Sequence, residues 1–82
     1  MRSSDDYEIK IKQMEFQMFC DVRKWTFQKI EHNRRNRKQF LCYCFDEQGM
    51  NQYFLISESG NYYQYVGPKK WEMVDYVYKE SD

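Results

Sequence analysis

Tyr7, Ile9 and Ile11 alternate with Glu8, Lys10 and Lys12, a period of two that predicts a half-buried strand. From Met14 the alternation resumes in the opposite phase. Met14, Phe16, Met18, Cys20 and Val22 are apolar, Glu15, Gln17, Asp21 and Arg23 are polar, and Phe19 is the exception. A phase flip at Lys12–Gln13 with neither Gly nor Pro predicts a bulge or corner where one strand changes face. A helix over 14–30 competes for this stretch, with Phe16, Phe19, Cys20, Phe27 and Ile30 on one side. The alternation, the aromatic content and the absence of Ala favour strand.

Trp25 and Phe27 continue an extended segment to about His32. Residues 33–38, Asn-Arg-Arg-Asn-Arg-Lys, contain no apolar side chain, and Asn suits a turn. They predict an exposed hairpin tip. Beyond it, Leu41, Tyr43 and Phe45 face one way and Phe40, Cys42 and Cys44 the other, the pattern of a central strand covered on both sides. Residues 46–49 form a turn ending in Gly49, and residues 50–57 another two-faced strand. Residues 58–61, Glu-Ser-Gly-Asn, make the clearest hairpin turn in the chain. A short strand at 62–66 is broken by Gly67-Pro68, and 71–79 reads as a last strand, with a helix over 69–79 as its rival. The expected fold is all-β, a small antiparallel barrel or sandwich of six to seven short strands. The alternative is α+β with a helix near 14–30 or 69–79.

Composition bounds the function more than it names one. Eighty-two residues suffice for one small domain over 1–82, its first five residues frayed. Only ten residues are Ile, Leu or Val, so sixteen aromatics and five Met must supply most of the core. Thirteen basic and thirteen acidic residues balance, which excludes a uniformly basic nucleic-acid coat and an acidic DNA mimic. Without a secretory signal or a long apolar run, the expectation is a cytoplasmic protein with no membrane association. Cys20, Cys42 and Cys44 are too few for a disulfide scaffold and read as buried thiols, not metal ligands.

Candidate chemistry is sparse. His32 is the only histidine, and three Gly form neither a phosphate-binding nor a dinucleotide motif. Asp5-Asp6 and Asp46-Glu47 sit in polar contexts where carboxylates stay solvated and ionised. Neither catalytic residues nor a cofactor is expected. Charge is the clear asymmetry: 23–38 holds seven basic residues and one acid, a net +6, whereas 1–22 carries −2 and 39–82 carries −4.

Two binding functions follow. The favoured one is a non-enzymatic protein-binding module, a regulator or inhibitor docking on a larger partner with an acidic surface. Its candidate residues are Arg34, Arg35, Arg37 and Lys38 in the basic tip and Tyr62, Tyr63 and Tyr65 in an aromatic patch. The alternative is a single-stranded DNA- or RNA-binding domain that pairs the Arg-rich loop with stacked Tyr. Balanced charge, and the crowding of Tyr into the acidic part of the chain, weigh against it.

Overall fold

A computed structural model describes residues 3–74. One helix, α1 (Ser3–Arg23), precedes five strands: β1 (Thr26–Asn33), β2 (Asn36–Phe45), β3 (Asn51–Ile56), β4 (Tyr62–Gly67) and β5 (Lys70–Met73). The strands form one antiparallel sheet in chain order, a meander with β1 and β5 at its edges. It does not close into a barrel, and the expected barrel or sandwich of six to seven strands gives way to a mostly β, two-layer arrangement of helix on sheet. The expected strand over 71–79 appears as β5, and the helical rival over 69–79 gives way to it at Lys70–Met73; the part of both beyond residue 74 lies outside the described residues.

The largest correction is at the N-terminus, where a single 21-residue helix replaces two strands. Phe16, Phe19 and Cys20 follow the i, i+3, i+4 spacing of a helix face, and all three are buried against the sheet. The alternation of Met14, Phe16, Met18, Cys20 and Val22 has a different origin. It comes from two helical stripes offset by two residues: Phe16 and Cys20 point inward, and Met14, Met18 and Val22 point to solvent. Such interleaved stripes imitate a period of two.

The helix ends in a Schellman motif. Lys24 adopts a left-handed φ of 62°, its N–H donates to the Asp21 carbonyl (3.1 Å), and the Trp25 N–H donates to the Cys20 carbonyl (2.9 Å). Trp25 is thereby turned onto Phe19, with ring centroids 6.3 Å apart.

Sheet residues on the helix side are those of one pleat: Phe27 and Ile30 of β1, Phe40, Cys42 and Cys44 of β2, Phe54 and Ile56 of β3, and Tyr62 of β4. Aromatic contacts bind the layers, with Phe19 at 4.9 Å from Phe54 and 5.2 Å from Tyr62. Deleting either inward Phe ring would cost about 3–5 kcal/mol, comparable with the whole stability of a domain this small.

The hairpin turns fall where Gly, Asn and Pro placed them. Gly49 and Gly60 have φ of 82° and 93° and close the β2–β3 and β3–β4 turns. Between β4 and β5, Pro68 is followed by Lys69 at φ 57°, the order of a type II turn with Lys where Gly is usual. Among the described residues, no helix is long and apolar enough to cross a membrane.

Candidate functional site

Antiparallel pairing builds the site. On the face of the sheet away from α1, Lys29 pairs with Tyr43, Tyr43 with Tyr53, and Tyr65 with Trp71. Tyr53 and Tyr65 meet side by side at 6.1 Å. One residue from each strand thus forms a row across the sheet, on the order of 19 Å long at the usual strand spacing. A second row runs beside it: Glu31, Leu41, Leu55, Tyr63 and Met73, each paired with the next.

The rings of the first row lean edge to face. Tyr43–Tyr53 centroids are 5.5 Å apart and Tyr65–Trp71 5.2 Å apart, both T-shaped, a favoured geometry for aromatic pairs. Tyr53, Trp71 and Met73 are exposed, and Leu41, Tyr43, Leu55, Tyr63 and Tyr65 are half-buried. A shallow apolar hollow of about 290 Å³ opens among Leu41, Tyr43, Tyr53, Tyr65 and Trp71, with Cys42 and Phe54 in its floor. β2 is central in the sheet as expected, but the helix covers only one of its faces among the described residues.

Charge in the two rows is confined to the β1 edge and is internally paired. The Tyr43 hydroxyl donates to Glu31 Oε2 at 2.8 Å, Lys29 Nζ lies 3.9 Å from Glu31 Oε1, and the same ammonium sits 4.9 Å from the Tyr43 ring centroid. Burial, together with the hydrogen bond to Glu31, pushes the Tyr43 phenol up to about 12. The rest of both rows carries no formal charge.

The basic residues lie elsewhere. Arg34 and Arg35 form the tip of the β1–β2 hairpin, exposed, with the Arg35 N–H donating to Asn33 Oδ1 at 3.2 Å. Arg37 and Lys38 belong to β2 itself, so the expected loop is shorter than six residues. They line an open cleft of about 630 Å³ on the helix side, with Tyr7, Glu8, Ile11 and Lys12 of α1 along its other wall. Arg34 and Arg35 line neither this cleft nor the apolar hollow.

Tyr63 and Tyr65 are in the rows, but Tyr62 is not. It points to the opposite side of β4 and is buried beneath α1. Sequence reasoning missed Tyr43, Tyr53, Leu41, Leu55, Trp71 and Met73. Their alternation within each strand was visible; which face lacked a cover was not.

Cys20, Cys42 and Cys44 are free and buried. Cys44 donates a hydrogen bond toward Cys20, which pulls the Cys20 thiol below its ordinary value and holds the Cys44 proton in place. Burial pushes the Cys42 thiol up. His32 Nδ1 donates to the Arg37 carbonyl at 2.9 Å, beside the Phe40 ring. Among the described residues, no three His, Cys, Asp or Glu side chains converge as a metal site would need.

Comparison with known proteins adds no relative: no protein-family model, no curated protein and no solved structure matches the chain.

Proposed function

We propose that the chain is a small, non-enzymatic protein-binding module that docks through the helix-free face of its sheet. The observation that carries this reading is the pair of uncovered rows, from Lys29 to Trp71 and from Glu31 to Met73. Contiguous apolar surface of this kind marks interaction sites, and Tyr and Trp are the residues that supply most binding energy at protein interfaces. The partner surface is apolar at its centre, filling the hollow between Tyr53, Tyr65 and Trp71. Arg34 and Arg35 stand at the sheet's end as rim charges, suited to an acidic patch on that partner.

Single-stranded nucleic acid fits this face less well. Base stacking wants ring faces open to solvent, and the edge-to-face leaning of the row offers few of them. Among the described residues, the cation over the rings of the row is Lys29, which is already paired with Glu31.

The test is a three-way pull-down from the native cell with quantitative mass spectrometry. It compares the wild-type chain, a face variant (Tyr53→Ser with Trp71→Ala) and a tip variant (Arg34→Ser, Arg35→Ser, Arg37→Ser). Loss of about 2 kcal/mol or more in affinity is expected for the face variant. The tip variant should keep the partner but bind it more slowly, with weaker salt dependence. A face variant that remains folded by circular dichroism and captures the partner as well as wild type refutes the proposal. Tight binding to short single-stranded DNA or RNA that collapses as salt rises would favour the other reading.

A further inference from the structure

The outward stripe of α1 is the feature the sheet does not explain. Tyr7, Ile11, Met14, Met18 and Val22 follow one another at spacings of four, three, four and four residues. They are 67%, 37%, 61%, 56% and 39% exposed; Met14, Met18 and Val22 lie opposite the buried Phe16, Phe19 and Cys20, and Tyr7 and Ile11 continue the stripe along the rim of the cleft they share with Arg37 and Lys38. A helix needs one apolar face to pack on a sheet. This one has two.

The spacing is that of a coiled-coil seam. Ile11 and Met18 take a positions and Tyr7 and Met14 take d positions; the next d position is Asp21, where the seam ends, and Val22 stands beside it at e. Glu8 and Glu15 then flank it at e, and Lys10 and Gln17 at g. We infer that α1 pairs with α1 of a second copy of this chain, in parallel, through this stripe.

The flanking charges select both partner and direction. In a parallel pair, each g residue faces the e residue of the following heptad on the other helix. Lys10 of each copy therefore meets Glu15 of the other, twice by symmetry. Glu15 already lies 3.6 Å from Lys12 of its own helix, and a carboxylate accepts a second ammonium. An antiparallel pair with the same stripes in contact sets e against e, so Glu15 would face Glu15 across the two-fold axis. The area is sufficient but modest: two such stripes bury on the order of 1,000 Å², near the lower bound for a specific interface. The pair is accordingly a reversible one. Because α1 lies on one side of the sheet, both aromatic faces remain outward, and self-association does not depend on the function proposed for them.

Sedimentation equilibrium of the full 82-residue chain, from low to high micromolar concentration, tests the inference. Wild type should show a concentration-dependent monomer–dimer equilibrium. Met14→Glu, at an exposed position, should keep the fold and weaken association at least tenfold. Lys10→Glu alone should weaken it about three- to tenfold, from two repulsive contacts replacing two attractive ones, and Lys10→Glu with Glu15→Lys should restore it. Tyr7→Cys should form an interchain disulfide with itself on oxidation. A wild-type chain that stays monomeric throughout overturns the proposal, as does a dimer unaffected by Met14→Glu, which must use another surface. Cross-linking of Tyr7→Cys to Val22→Cys, in place of Tyr7→Cys to itself, overturns the parallel arrangement.

Discussion

Replacing Lys24 by Gly should stabilise the protein, and the size of the gain measures whether α1 ends where the structure ends it. Lys24 holds φ at 62°, a left-handed conformation imposed by the hydrogen bonds from its own N–H and that of Trp25 to the last turn of α1. For a residue with a Cβ this conformation costs roughly 1–2 kcal/mol. Gly removes that cost but gives the unfolded chain more freedom, which returns about 0.5–1 kcal/mol. The net gain of Lys24→Gly over Lys24→Ala should be about 0.5–1 kcal/mol. In a domain of this length that raises the melting temperature by roughly 2–8 °C. Lys24 also places a positive charge at the helix C-terminus, a favourable position that any neutral substitution forfeits. The comparison is therefore Lys24→Gly against Lys24→Ala, since both lose the charge and only Gly relieves the backbone. Thermal and urea unfolding followed by circular dichroism supply the readout. If the two variants unfold at the same temperature, Lys24 is not left-handed in solution. The chain then does not turn from α1 into β1 through this motif.

Two further outcomes follow from the buried and hydrogen-bonded groups. Cys20, Cys42 and Cys44 are all buried, so a thiol reagent should label them slowly in the native state and rapidly in denaturant; stoichiometric native labelling within the mixing time would show that the helix does not cover them. Asp46 accepts hydrogen bonds from the backbone N–H groups of Met50 and Gln48 and from the Gln52 amide, each at 2.9 Å, and the first-named backbone bond does most to hold its carboxyl below the usual carboxylate range. A depressed carboxylate contributes stability above its unfolded pKa and loses it as pH falls through the folded value, so the stability difference between wild type and Asp46→Ala, read from urea midpoints, should be largest near neutral pH and shrink below about pH 4. A difference that stays constant down to pH 2 would contradict this.

The turns were legible because each depends on a few residues whose backbone preferences are local. Gly49, Gly60, Pro68 and the Asn-Arg-Arg-Asn run announce β2–β3, β3–β4, β4–β5 and β1–β2 without reference to anything distant. The helix was legible only as the rival over 14–30, outranked by strand because its signal was doubled. A stripe at Phe16, Phe19 and Cys20 alone would have shown a period of 3.6; the second stripe at Met14, Met18 and Val22 filled the gaps and left alternation. The absence of Ala then counted toward strand, although Glu, Lys, Gln and Met are good helix formers and fill much of 8–18.

That misreading carried through to the site. Once the turns are placed, pairing brings Tyr43 to Tyr53, Leu41 to Leu55, and Leu55 to Tyr63, so the rows are nearly fixed by local information. What they mean depends on how many layers the chain can build. With 7–23 read as strands, there was enough sheet to cover both faces of β2, and Leu41, Tyr43 and Tyr53 passed for core. With 3–23 as one helix, the described residues offer a single layer to cover a sheet that is apolar on both sides, and among them one side is left open. Phe40, Cys42, Cys44, Phe54 and Ile56 claim the helix. Only the other pleat, from Lys29 to Trp71 and from Glu31 to Met73, is then free to meet another molecule. Two apolar surfaces without a cover among the described residues, this pleat and the outer stripe of α1, are more than a monomer of this size normally leaves to water. A chain that folds this way has its binding surfaces decided by the count of its layers, before any single side chain is considered.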